Sequence, residues 1–116
     1  MSELIYIASP YTHDDPKKVV ENFEGITKYV AIKVAAGEVL ISPITYGHTL
    51  LDYKEMPSSW EFWQNFCFSL LINCDRVRVV KMPGWDESTG VAEEVSFARG
   101  RGIPVEYVEF NIEENE

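Results

Sequence analysis

The stretch Gly84 to Ala98, GWDESTGVAEEVSFA, reads as a loop that leaves a buried strand and turns into a helix. The strand is Val77 to Val80, and Pro83 with Gly84 stops it. Ser88 and Thr89 are good helix N-caps, because a short side-chain oxygen accepts from an amide that the first turn leaves unpaired. At about 100° per residue, Val91, Val95 and Ala98 share one face, which must be the buried one. Glu94 then lies about 60° from the centre of that face and points along the rim of the sheet. Glu93 lies about 160° away and is expected to face water. A carboxylate half turned toward the core at a strand–loop–helix junction is a candidate active-site group. Acids in a first helical turn also complement the helix dipole. That reading fits Glu93 best, and geometry alone leaves both open for Glu94.

Working outward, short apolar runs alternate with amphipathic stretches. Leu4 to Ala8 (LIYIA) is apolar throughout, as a strand covered on both faces must be. Ser9, Pro10, Tyr11 and Thr12 turn the chain at its end. Asp15 before Pro16 starts a helix. Val19, Phe23, Ile26, Val30 and Val34 then recur at spacings of four, three, four and four, and Gly37 ends it. Val39 to Ser42 is a second strand, closed by Pro43. Ile44 to Pro57 reads as a long irregular loop holding Tyr46, Gly47, His48 and Tyr53. Ser58 with Glu61 makes a capping box. Trp60, Trp63, Phe66, Leu70, Leu71 and Cys74 continue a helical stripe in which the tryptophans read first as core. Arg76 to Lys81 (RVRVVK) is the third strand, with Asp75 as a capping or turn residue at its start. Ile103 to Val108 is the fourth, with Pro104 marking an edge. Glu106 to Glu116 reads as a solvated acidic tail.

Strands alternating with helices predict right-handed βαβ units and a parallel sheet. The expected fold class is α/β: a small doubly wound sheet, flavodoxin- or Rossmann-like, of four to five strands with helices on both faces. In such sheets ligands bind beyond the C-terminal strand ends, at the switch in strand order. The loops there are Ser9 to Thr12, Pro43 to Pro57 and Pro83 to Ser88. Tyr6 lies near the same end.

Composition narrows the function. A chain of 116 residues with 46% apolar content is expected to form one domain over residues 1–116. The net charge of −9 argues against a nucleic-acid polymer or an anionic membrane as partner. A small phosphorylated ligand is still compatible, since backbone amides at a helix start can hold an anion. Cys67 and Cys74 are too few for a disulfide scaffold and read as buried free thiols. His13 and His48 are far apart on loops, and no spacing predicts a metal site. Neither a dinucleotide nor a Walker glycine motif is present, so no cofactor is expected. No basic leader precedes the first strand and no run reaches membrane-spanning length, so a cytoplasmic protein is expected.

Three ordered motifs resemble the nucleoside 2-deoxyribosyltransferase superfamily, and more closely its small phage and bacterial members. They are Ile5-Tyr6-Ile7-Ala8-Ser9-Pro10-Tyr11, then Ser42-Pro43-Ile44, then Gly84 to Glu94 followed by Ala98 and Ile103-Pro104-Val105. The resemblance implies cleavage of an N-glycosidic bond, with Glu94 as the nucleophile at C1′ of deoxyribose and Tyr6 orienting it. Ser88, six residues before Glu94, resembles the serine of the 2′-deoxynucleoside 5′-monophosphate hydrolases more than the aspartate of the transferases. It implies hydrolysis over base transfer. Ser9, Pro10, Tyr11, Ser88, Gly90, Asn65 and Trp85 are the substrate-binding candidates. The partner implied is a small deoxynucleoside or deoxynucleotide, handled by a homodimer or higher homo-oligomer. The sequence departs from the family twice. The arginines after the first strand are replaced by Pro10-Tyr11-Thr12-His13, which leaves Ser9, Ser88, backbone amides or Lys17 for a phosphate. The aspartate before the third strand, which assists the leaving base, falls by spacing at Cys67; Glu61, Asp86 or a partner subunit are the stand-ins. A non-catalytic nucleotide-binding protein on the same scaffold is the alternative reading.

Overall fold

In the computed structural model, which describes residues 2–113, the elements run β1 (Leu4–Ala8), α1 (Pro16–Ala35), β2 (Val39–Ile41), α2 (Pro43–Leu50), α3 (Trp60–Leu71), β3 (Arg76–Lys81), a 3₁₀ turn (Trp85–Glu87), α4 (Thr89–Gly100) and β4 (Val105–Glu109). Among the described residues, four strands form one sheet in the order β2-β1-β3-β4. Every pairing is parallel, with Tyr6 opposite Ile41 on one side and Val77 on the other. The chain winds outward from β1 to β2, then returns past β1 to β3 and β4. The switch in strand order therefore lies beside β1, and β4 is an edge, as Pro104 predicts.

The period-two alternation of β1 divides the core. Ile5 and Ile7 face α1, packing with Ile26, Tyr29, Val80 and Met82. Tyr6 and Ala8 face the opposite way, into a cluster with Cys67, Leu71, Val77, Val79, Val91, Val95 and Ala98 from α3, β3 and α4. Helices thus cover both faces, and the apolar runs of β1 and β3 follow from that double burial. Arg78 is the polar exception on the α1 face. Its guanidinium bonds Glu38 at 2.7 Å, Glu106 at 2.8 Å and the Tyr29 hydroxyl at 3.2 Å. Asp75 has its expected turn role, accepting from the Leu4 amide at 2.8 Å.

Four local expectations need correction. Ile44 to Pro57 is not irregular throughout: Ser42 caps a helix there, accepting from Thr45 N, with Pro43 in its first turn. The cap of α3 is Ser59, accepting from Phe62 N, and not Ser58. The tail does not begin at Glu106, because β4 runs to Glu109 and Phe110 and Ile112 pack on the α1-side core. The rest of that stretch, residues 114–116, lies outside the described residues. Glu93 does not simply face water: it is half-buried and accepts from Gln64 Nε2 of α3 at 2.8 Å. Among the described residues no helix is long and apolar enough to cross a membrane.

Candidate active site

A cavity of about 220 Å³ opens at the C-terminal edge of the sheet, where β1, β2 and β3 all end. Each wall has a local cause. From β1 comes Ile7, and from the loop after it Ser9, Tyr11 and Thr12. The far wall is α2, with Pro43, Ile44, Gly47 and His48. Gly47 lets α2 approach α3 closely: a Cβ there would sit 3.2 Å from the Trp63 ring, and the ring would have to give way by a few tenths of an ångström. Trp60, Trp63 and Cys67 of α3 line the third side. The Trp63 indole is fixed by donating to the Pro57 carbonyl at 2.9 Å. The start of α4 closes the fourth, with Ser88, Thr89, Gly90 and Glu94. Ser88 caps this helix, accepting from Val91 N at 3.2 Å.

Glu94 is only 6% exposed, and its carboxyl reaches the cavity from inside the core. The Tyr6 hydroxyl donates to Glu94 Oε2. Tyr6 is itself fully buried on β1, so strand and helix hold the pair between them. Burial pushes the Glu94 carboxyl up to about 8, and the Tyr6 hydrogen bond opposes that rise. Burial and the neighbouring Glu94 keep Tyr6 far above the ordinary phenol range, so it stays a hydrogen-bond donor. Cys67 stands beside this pair, 5% exposed, its thiol pushed up to about 12 by burial and by Glu94. Both cysteines are free, as expected.

A second pair occupies the α2 side. Tyr11 Oη and His48 Nδ1 are 2.6 Å apart, and the imidazole stacks on Phe23 with centroids 4.1 Å apart. The Tyr11 carbonyl accepts from Asn22 of α1 at 3.2 Å, which anchors the loop. Two polar atoms of cavity-lining residues, Ser9 Oγ and Trp60 Nε1, are buried without a hydrogen-bond partner among the described residues.

Of the residues singled out from sequence, Glu94, Ser9, Tyr11, Ser88 and Gly90 meet around this cavity, with Tyr6 directly behind Glu94. Pro10 is buried under the loop and does not line it. Asn65 and Trp85 are not brought in. Asn65 is on the exposed face of α3, a helical position away from Trp60, Trp63 and Cys67. Trp85 packs on Tyr107 of β4, with ring centroids 5.7 Å apart. Lys17, Glu61 and Asp86 are exposed and also lie outside the lining. The sequence reading assigned His48 no role and favoured core packing for the tryptophans. The signal that would have placed them is the Ser42-Pro43 helix start, which puts His48 on a helix beginning at a strand's C-terminal end.

The fold, a parallel sheet with helices on both faces, is shared with a solved enzyme. A solved 2-deoxyribosyltransferase from the psychrotolerant bacterium Bacillus psychrosaccharolyticus matches with a TM-score of 0.60 at 22% identity, over 97% of this chain and 77% of that one. The fold is therefore nucleoside 2-deoxyribosyltransferase-like. The chain belongs to the family described as a domain of unknown function, DUF1937, whose model matches residues 3–110. No curated protein matches it by sequence.

Proposed function

We propose that this chain cleaves the N-glycosidic bond of a 2′-deoxynucleoside or its 5′-monophosphate, with Glu94 as nucleophile and water as acceptor. The observation that carries the reading is the Glu94 carboxyl, buried, facing the cavity and held by the Tyr6 hydroxyl. The fold shared with a 2-deoxyribosyltransferase, a protein described as a biocatalyst for nucleoside synthesis, supports the substrate class. In this mechanism the carboxylate attacks C1′ and the C1′–N bond breaks. The positive charge that develops on the sugar ring is stabilised at close range by the same carboxylate. Water then attacks C1′ of the glycosyl ester, releases the sugar and restores Glu94. Trp60 and Trp63 offer apolar walls for a base, and the unpaired Ser9 hydroxyl and Trp60 N–H offer it or the sugar polar contacts. The Thr89 and Gly90 amides, unpaired by position at a helix start, offer the site for a 5′-phosphate. A homo-oligomer belongs to the same reading, since Tyr46 and Phe62 stand exposed on the two helices that wall the cavity.

The test is base release. Deoxynucleosides, their monophosphates and the ribose forms are incubated with the protein, and free base is separated chromatographically. Base release by the wild type that vanishes in Glu94→Ala is the expected result. A protein that binds a nucleotide, seen as thermal stabilisation, yet releases no base would overturn it. That outcome belongs to a second reading, a nucleotide-sequestering protein. Cys67 favours it, because a thiol at about 12 beside Glu94 is a poor proton donor to a leaving base.

A further inference from the structure

We infer that His48, held by Tyr11, is the acid that protonates the departing base; the inference rests on the glycosidase reading above. An N-glycosidic bond breaks with its electron pair on the base nitrogen, so a proton delivered there lowers the barrier, typically by about 10²–10⁴ in rate. The polar side chains around the cavity leave few donors. Glu94 is taken as the nucleophile. Cys67 keeps its proton too tightly. The Tyr11 hydroxyl, raised by burial, likewise stays a phenol. Glu87 is exposed on the rim, and no neighbouring side chain hydrogen-bonds its carboxyl among the described residues to fix its position. His48 remains, and its ring has two nitrogens, so one can be held by a neighbour while the other donates a proton to a ligand.

The geometry suits the role. His48 Nδ1 is engaged by Tyr11 Oη at 2.6 Å, while Nε2 has no hydrogen-bond partner among the described residues. The stack on Phe23 and the Thr27–Thr45 hydroxyl contact of 2.9 Å fix the ring and α2 against α1. As an imidazolium, His48 donates Nδ1–H to the Tyr11 oxygen and keeps Nε2–H free to donate to a base bound in the cavity that His48 lines. When Glu94 attacks C1′, the C1′–N electron pair goes to the base, and the Nε2 proton goes to the base with it. His48 is left neutral. In the second half, Nε2 takes a proton from the attacking water, the C1′–Oε bond breaks with its electrons returning to Glu94, and the imidazolium is restored.

The test compares leaving groups that need a proton with one that does not. Wild type and His48→Asn are assayed on the four common 2′-deoxynucleosides and their 5′-monophosphates, and on 4-nitrophenyl 2-deoxyriboside with and without a 5′-phosphate. The expected result is a loss of 100-fold or so in kcat/KM on whichever natural substrate is cleaved, with less than about threefold loss in kcat/KM on the aryl glycoside, whose phenolate leaves unassisted; kcat/KM reads only the steps through departure of the leaving group, before His48 acts on water. Retained aryl cleavage also shows that the variant is folded. Equal loss on both, or loss on neither, overturns the role of His48 and leaves the glycosidase reading intact. Wild type that cleaves the aryl glycoside but no nucleoside or nucleotide also overturns it. Wild type that cleaves none of them removes the glycosidase reading, and this inference with it.

Discussion

Glu94 has its carboxyl where water cannot solvate the charged form, and this ties activity to pH in one direction and stability to pH in the other. A nucleophile must be ionised. With the group at about 8, only about a tenth is carboxylate at pH 7. Cleavage of an aryl 2-deoxyriboside, whose phenolate leaves without an acid, is therefore expected to rise with pH and to level off above about 8, read as a pH profile of kcat/KM. Stability runs oppositely. In the folded chain Glu94 holds its proton more tightly than in the unfolded chain, where it titrates near 4.5. Between those two values the folded state binds more protons, so stability falls as pH rises through the window and is flat beyond it. Glu94→Gln removes the titration and keeps an acceptor for Tyr6. Its stability is expected to exceed wild type's at pH 8 by on the order of a few kcal/mol, seen as a higher melting temperature, with the gap narrowing toward pH 5. Thermal melts of both proteins across that range check this. Tyr6→Phe removes the bond that opposes the rise, so the midpoint of its rate profile is expected to move to higher pH. Each unit of that movement costs about tenfold in the charged fraction at neutrality.

At the scale of elements, α2 decides whether the cavity has a far wall, and Gly47 decides where α2 sits. Alanine there gains about 1 kcal/mol of helix propensity. The added Cβ would also lie 3.2 Å from the Trp63 ring, and overpacking of that kind costs about 1–3 kcal/mol. Gly47→Ala is expected to lower the melting temperature and to weaken nucleotide affinity, because Trp63 yields into the cavity; thermal melts and a binding titration read the two effects. The same residue explains why α2 was not legible. A glycine in the middle of eight residues argues against a helix on propensity, and the packing that requires it is tertiary. The long periodic elements were legible, since α1 shows its 3.6-residue stripe and β1 and β3 their continuous burial. The caps were legible to within a residue: Ser88 is the cap of α4, while the adjacent Ser58 and Ser59 offered two equivalent choices and the chain uses the second. Glu94 was legible because helical geometry put it at the rim and the motif agreed. Asn65 and Trp85 were misplaced for one reason. Closeness in sequence to a site loop says nothing about which face of a helix or which side of a turn a side chain takes. His48 needed α2, and so was missed with it.

At the scale of the whole molecule, charge bears on which form of substrate is favoured. The chain carries a formal net charge of −9, and among the described residues the cavity lining includes the exposed Glu87 but no lysine or arginine. A neutral nucleoside approaches this field without penalty. A 5′-monophosphate is repelled by it and gains only what the amides at the start of α4 return within the site. The repulsion is long-ranged and exposed to solvent, so salt screens it: the Debye length shrinks from about 30 Å at 0.01 M to about 8 Å at 0.15 M. The contact with the amides is short-ranged and partly enclosed, so salt weakens it less. Raising ionic strength over that interval is expected to lower KM for the monophosphate several-fold and to leave KM for the nucleoside nearly unchanged. Steady-state kinetics on the two substrates at matched pH measure the difference. A monophosphate KM that rises with salt would mean that attraction at the α4 terminus outweighs the field of the whole chain, and the phosphate would then be a recognised part of the substrate.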